Sequence, residues 1–216
     1  MRTKVVKSIT RGPREAGVKT RGAHAVGAKS LREKFFKESV PTLQKEMGLA
    51  NALAVPRVVK VVINAGIGKH SKDAKFIDSA ASGLAELSGQ RPVKTLARAA
   101  IAGFKIREGN VIGLMVTLRG KRMYDFLAKL CNVSLPRVRD FRGLSVSGFD
   151  EHGNYSIGIR EHLVFPEVSP DAIESTFPLQ ITVVTTAKNK VEGYKLLKSL
   201  GFPFHDEVGQ KIVNRK

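Results

Sequence analysis

From residue 30 onward the apolar positions fall into patterns that change period along the chain. Leu31, Phe35, Leu43 and Met47 recur at helical spacing, which predicts a helix running to Gly48. Ser30 with Glu33 three residues on has the form of a capping box at its start, and Pro41 is expected to kink it. Pro56 then precedes VVKVVIN (Val58–Asn64), a β-branched run of strand length. Ile77, Ala81, Leu84 and Leu87 share one face of a second predicted helix, from about Lys72 to Leu87, with Gly89 placed to end it in a left-handed cap. A short strand is expected around Pro92–Thr95 and a long one at Val111–Arg119, followed by a helix from about Arg122 to Leu130. Strands near Tyr155–Leu163 and Leu179–Thr185 precede a closing helix at Val191–Leu200, stopped by Gly201 and Pro203. Helices and strands mix without a regular strand–crossover alternation, so the expected class is α+β rather than a doubly wound parallel sheet.

Alternation within the strands separates two faces. In Val111–Arg119 one parity holds Ile112, Leu114, Val116 and Leu118, while the other includes Gly113, Thr117 and Arg119. Tyr155, Ile157 and Ile159 stand likewise against Ser156, Gly158 and Arg160, and in VVKVVIN the parity of Lys60 includes Asn64. One face is expected to pack on helices. The other, carrying small, hydroxylic and basic groups with glycines that admit a second backbone, suits either a sugar–phosphate chain or plain solvent.

Charge tilts that choice. The 216 residues carry 37 Lys+Arg against 19 Asp+Glu, a net charge of +18, and a field of that sign attracts polyanions. Residues 1–30 hold eight basic residues and one acid, Glu15, with no aromatic and no sustained apolar period. Such a segment cannot bury enough surface to offset the entropy of ordering it, and is expected to be a disordered basic arm. Being rich in Arg and poor in acids, it also has the character of an organelle transit peptide, although its glycines and Pro13 oppose an amphipathic helix. No apolar run approaches the ~20 residues that span a bilayer. One cysteine, Cys131, and no zinc-spaced Cys/His cluster point to an intracellular chain without disulfide or metal.

Catalytic motifs fail in turn. AGIGKHSK (Ala65–Lys72) lacks the GxxxxGK[ST] spacing of a phosphate loop, and GLSVSG (Gly143–Gly148) misses GxSxG at both serines. His24, His70, His152, His162 and His205 are scattered, and Glu161 and His162 are expected on opposite faces of a strand. Cys131, in apolar surroundings, reads as an inert small hydrophobe. An enzyme acting on nucleic acid would need carboxylates converging on a metal, and the acids here are dispersed.

VPRVVKVVINAGIG (Val55–Gly68), SGQRPVKTLARAAIAGFKIREG (Ser88–Gly109), IGLMVTLRGKRMYDFL (Ile112–Leu127), LPRVRDFRGLS (Leu135–Ser145), GNYSIGIREHLVFPE (Gly153–Glu167), TTAK (Thr185–Lys188) and FPF (Phe202–Phe204) follow one another. Collinear over about residues 31–204, this set resembles the bacterial-type ribosomal protein L-five family. The resemblance implies a curved antiparallel sheet of about five strands with helices packed on one side, whose open concave face, with the first helix region, meets 5S rRNA in the central protuberance of the large ribosomal subunit. By position in the matching motifs it places Lys60, Asn64, Gln90, Thr95, Thr117 and Arg119 at the rRNA interface. It also implies that the basic segment Ala97–Gly109, holding Arg98, Lys105 and Arg107, reaches P-site tRNA as a mobile positive loop. A contact with a small-subunit head protein in an intersubunit bridge is expected on the loop between Ser145 and Asn154. Large-subunit rRNA is a further implied partner; no cofactor, metal, membrane or small-molecule substrate is implied, and the implied seat is the bacterial cytoplasm, or an organellar ribosome if residues 1–30 are a transit peptide.

The chain departs from the family pattern at Ala65, usually methionine, at His152, usually arginine, and in two extensions: the arm, 1–30, and a tail, 205–216. The arm's charge suggests added RNA contact. A general RNA-binding or RNA-chaperone module without a fixed ribosomal seat is the alternative. In LPRVRDFRGLS, Asp140 is expected to pair with one or two of Arg137, Arg139 and Arg142 while Phe141 and Leu144 anchor the segment.

Overall fold

The computed structural model describes residues 30–168 and 176–205. Apart from Ser30 and His205, the expected arm and tail lie outside the described residues.

The first helical stretch is continuous, but it is built in three parts: α1 (Leu31–Lys34), a π turn (Phe35–Ser39) and α2 (Val40–Glu46). Pro41 cannot donate a hydrogen bond and its ring crowds the carbonyl one turn back. In place of the expected kink, the wider π turn immediately before it, with the Val40 N–H bonded to Phe35 O, takes up the misfit. The capping box is not made: the Ser30 side chain accepts no hydrogen bond.

Five strands follow, in the spatial order β2-β3-β1-β5-β4 with every neighbouring pair antiparallel. They are β1 (Val58–Gly66), β2 (Val93–Leu96), β3 (Val111–Leu118), β4 (Tyr155–Ile159) and β5 (Leu179–Thr185). Between them run α3 (Ala74–Ser88), α4 (Gly120–Lys129) and α5 (Lys190–Ser199). Asp73 caps α3 through the Phe76 N–H at 3.2 Å, and Gly89 closes it at φ +66°, the left-handed cap its position predicts.

The parity argument holds. Val61, Ile63 and Ala65 of β1, Leu114, Val116 and Leu118 of β3, and Ile181 and Val183 of β5 are buried with Leu84, Leu127, Leu196 and Leu197 from the helices in one core. That core lies on one side of the sheet, as an α+β layer architecture requires. Cys131 belongs to it, and burial, opposed by the Lys34 charge, pushes its thiol up to about 12, so that it stays protonated and unreactive at neutral pH.

β4 ends at Ile159, four residues short of the expected Leu163, and a 3₁₀ turn (His162–Val164) follows. A strand continued at the same alternation would drive the Glu161 carboxylate into the core beside Ile159. The turn leaves Glu161 exposed and buries His162 instead, 1% exposed. There Nδ1 accepts the Phe177 N–H at 3.4 Å and the ring stacks on Phe177 at 4.2 Å between centroids. Burial lowers the His162 pKa from its ordinary 6.5, so the fold holds the neutral ring. The unfolded chain therefore binds more protons below that value, and the contribution present above pH 6.5 is lost as pH falls through the folded pKa. Urea midpoints of the wild type should drop on acidification from about pH 7.5 to about pH 5 by more than those of His162→Leu; parallel profiles would show the ring to be uncoupled from stability.

Candidate nucleic-acid interface

Opposite the helices the sheet face is open, and the strand register arranges it in rows. Thr117 lies across from Val62, Val62 from Thr182, and Thr182 from Ser156, whose hydroxyls are 3.1 Å apart. The next row runs Val93, Met115, Asn64, Gln180 and Gly158 across all five strands. Beyond it Thr95 lies opposite Gly113, which lies opposite Gly66.

Gly113 is where these rows come closest. A Cβ there would stand 2.8 Å from the Thr95 hydroxyl, 3.1 Å from Ala65 O and 3.8 Å from the Asn64 amide oxygen. A hydroxyl and an amide thus converge over a bare backbone, offering donors and acceptors to a partner that can approach closely. Neither Asn64 nor Thr117 spends its side chain on a hydrogen bond within the described residues.

Of the residues expected at this interface, the sheet brings Lys60, Asn64, Thr95 and Thr117 to one face. Arg119 is exposed at the end of β3, immediately before α4. Gln90 stands apart from the strands, exposed in the turn between α3 and β2, where its backbone N–H and C=O are both held by the Ser88 hydroxyl at 3.3 and 2.9 Å.

Ser156, Gly158 and Arg160 stand on this face as their alternation predicts, whereas the polar positions of β5 were not foreseen in the sequence. Gln180, Thr182 and Ser156 belong to it as fully as Asn64 does, and Gly66, Gly158, Arg160 and Gln180 line a shallow groove with Asn64. The signal was present in β5, where Leu179, Ile181 and Val183 alternate with Gln180 and Thr182, but nothing in one strand reveals which strand stands beside it.

Arg98, Lys105 and Arg107 are all exposed on a small hairpin, not on an open loop. Ile101 and Ile106 exchange backbone hydrogen bonds of 3.0 and 3.2 Å, Ala97 is tied to Asn110 and Gly109, and Lys105 turns the tip at φ +55°. The tip carries Phe104 at 75% exposure and Ile101 at 49%. Phe104, an exposed ring on the same tip as Ile101 in a basic segment, was not singled out as a contact residue in the sequence. An exposed ring among cations is suited to stacking on a nucleobase.

The arginine segment corrects an expectation. Asp140 forms no ion pair among the described residues, nor do Arg137, Arg139 or Arg142. Asp140 instead supplies a left-handed backbone, φ +55°, which Asp tolerates better than most residues. Leu144 does anchor the segment: its N–H bonds Pro203 O at 2.8 Å and its carbonyl accepts the His205 N–H at 3.1 Å. The loop expected to meet a small-subunit protein is fixed by Asp150, which accepts the Asn154 backbone and side-chain N–H groups, both at 2.7 Å. These bonds hold its carboxyl below the usual range even though burial pushes the other way. Among the described residues no group of His, Cys, Asp and Glu could hold a metal ion, and no helix is long and apolar enough to cross a membrane.

Residues 51–107 match the family model described as ribosomal protein L5, and residues 111–204 match the companion model for the C-terminus of that ribosomal family. The large ribosomal subunit protein uL5 of Chloroflexus aggregans is 51% identical over 176 residues, covering 82% of this chain and 98% of that protein. That of Desulforapulum autotrophicum is 52% identical over 175 residues, covering 81% and 98%. The large ribosomal subunit protein uL5c of Spinacia oleracea is 47% identical over 194 residues, covering 90% of this chain and 75% of that protein.

Proposed function

Because the chain belongs to the ribosomal protein L5 family, non-enzymatic structural constituents of the large ribosomal subunit with rRNA as partner, we propose that its open sheet face binds 5S rRNA and helps attach it in the central protuberance. The observation that carries this is the convergence of Thr95 and Asn64 over Gly113, within a face whose polar groups are mostly uncharged donors and acceptors set among Val62, Val93 and Met115. Amides and hydroxyls suit 2′-hydroxyls and base edges of irregular RNA, whereas Lys60 and Arg119 neutralise phosphate. Gln90 adds an amide from beside β2. In this reading Arg98, Lys105 and Arg107 hold phosphates of P-site tRNA while Phe104 stacks on an exposed base, and the Asp150–Asn154 turn meets a small-subunit head protein. The bacterial cytoplasm is the proposed seat, the Spinacia relative keeping an organellar ribosome as the second reading.

Chemical footprinting of 5S rRNA with the full chain bound tests the central claim. Protection should be confined to one helix and its adjoining loop. Because the face is largely uncharged, that pattern should persist as salt rises, while removal of residues 1–30, which carry eight cations, should flatten the salt dependence of affinity. Diffuse protection that vanishes with salt would favour the nonspecific RNA-binding alternative.

A further inference from the structure

The LPRVRDFRGLS segment and β4 enclose a cleft of about 620 Å³ on the side of the sheet away from β2. β4 is an edge strand: β5 is its one neighbouring strand, and its first residue, Tyr155, is bridged on the other side by Phe149. Gly148 covers Ser156, but beyond it no backbone group of residues 157–160 makes a hydrogen bond outside that ladder among the described residues. Alternate N–H and C=O groups of a strand with one neighbour point outward, here into the cleft. A Cβ at Gly158 would meet nothing within 4 Å, so the open face beside this edge leaves room for the side chains of an added strand.

The opposite wall is formed by Val138–Phe141 and Gly143–Ser145, with Leu135, Ile157, Ile159 and Val164 also lining the space. One end is closed. There the Tyr155 hydroxyl bonds Ser145 O at 2.7 Å, and Gly148 lies so close that a Cβ on it would stand 2.7 Å from Ser156 O. The other end opens toward Arg160.

Charge around the cleft is uneven. Arg139 and Arg160 line it, and Arg137 and Arg142 flank lining residues in the chain; all four are exposed and none forms an ion pair among the described residues. Asp140 and Glu161 are the acids that line it. Natural edge strands are commonly blunted by charges, a bulge or a covering loop. Here the loop stands off, leaving room for one more extended chain.

We propose that this cleft binds an extended acidic segment of a partner protein, which adds a sixth strand beside β4 and sets its carboxylates against Arg139 and Arg160. The recognition elements favour polypeptide over RNA. An outward ladder of alternating N–H and C=O groups matches another peptide backbone, and an apolar floor receives every second side chain. A sugar–phosphate backbone supplies no such alternation. Stacking of bases would call for an exposed aromatic face, and the rings at the cleft, Phe141 and Tyr155, are half-buried and buried.

Hydrogen exchange of the full chain in the presence of a short synthetic peptide alternating Glu and Val reads this directly. The amides of Gly158 and Arg160 should slow on addition of that peptide and not on addition of its Lys/Val counterpart. Arg139→Glu should weaken the peptide about tenfold, as expected for reversing a rim charge, while leaving 5S rRNA affinity within about twofold. Three results would overturn the proposal: no slowing with either peptide, equal slowing with both, or displacement of the bound peptide by 5S rRNA, which would make the cleft an RNA surface. A fourth is tighter peptide binding once residues 206–216 are removed, which would assign the cleft to the chain's own terminus.

Discussion

Gly193→Ala should destabilise the fold by about 3 kcal/mol, although the same change in an exposed helix interior normally gains about 1 kcal/mol. Gly193 lies buried in α5 against the turn before β4, where an added Cβ would stand 2.5 Å from Gly153 O and 2.8 Å from Gly153 Cα. Both obstacles are backbone, so no side chain can swing aside. The turn cannot withdraw cheaply either. The Gly153 carbonyl accepts the Thr185 hydroxyl at 2.9 Å, and Asn154 accepts the Thr185 N–H at 3.0 Å. Gly153 itself is at φ +73°, with a Cβ position 2.7 Å from both Asn189 O and the Ala187 methyl. The two glycines thus let α5, β5 and the β4 turn meet backbone to backbone. Gly158→Ala is the control, since nothing stands within 4 Å of its Cβ position and its midpoint in urea should move little. A Gly193→Ala protein as stable as the wild type would show that this contact gives way.

Asn64→Asp should weaken 5S rRNA binding by about 30-fold, or ~2 kcal/mol, with an unchanged melting temperature. The replacement keeps shape and size. It removes the amide's two donors and sets a negative charge in the centre of a face proposed to receive a polyanion. Asn64 is exposed and makes no side-chain hydrogen bond among the described residues, so the free protein should tolerate the carboxylate. Thr182→Val, on the open-face side of β5, should act in the same direction with a smaller effect. Full affinity in Asn64→Asp would remove this face from the interface, leaving Phe104 and its three cations as the remaining candidate.

Much of this architecture was legible in local pattern. Five strands and the principal helices stand where periodicity put them, because side-chain direction repeats every two or 3.6 residues for covalent reasons that hold before any packing. The cap at Gly89 and the burial of Cys131 follow from the same local logic. The structure departs from that pattern at three places: at Ser30, whose cap is unmade; at Pro41, whose misfit a π turn absorbs; and past Ile159, where a continued strand would have buried Glu161 in the core. The arginines of LPRVRDFRGLS look self-sufficient in the sequence, with an acid among them, yet the fold leaves all of them without an ion pair among the described residues.

Residue order alone therefore determined which side of each strand would be buried, the basic character of the chain and, through a collinear set of motifs, its family. Only the tertiary structure decided that β5 lies between β1 and β4, that Thr95 and Asn64 meet over Gly113, and that β4 is left as an edge facing unpaired arginines. The reason is one of range. Face and period are set within a few residues, whereas β1 and β5 pair across more than a hundred, as Val58 with Thr185, and that closure depends on the burial of the whole core.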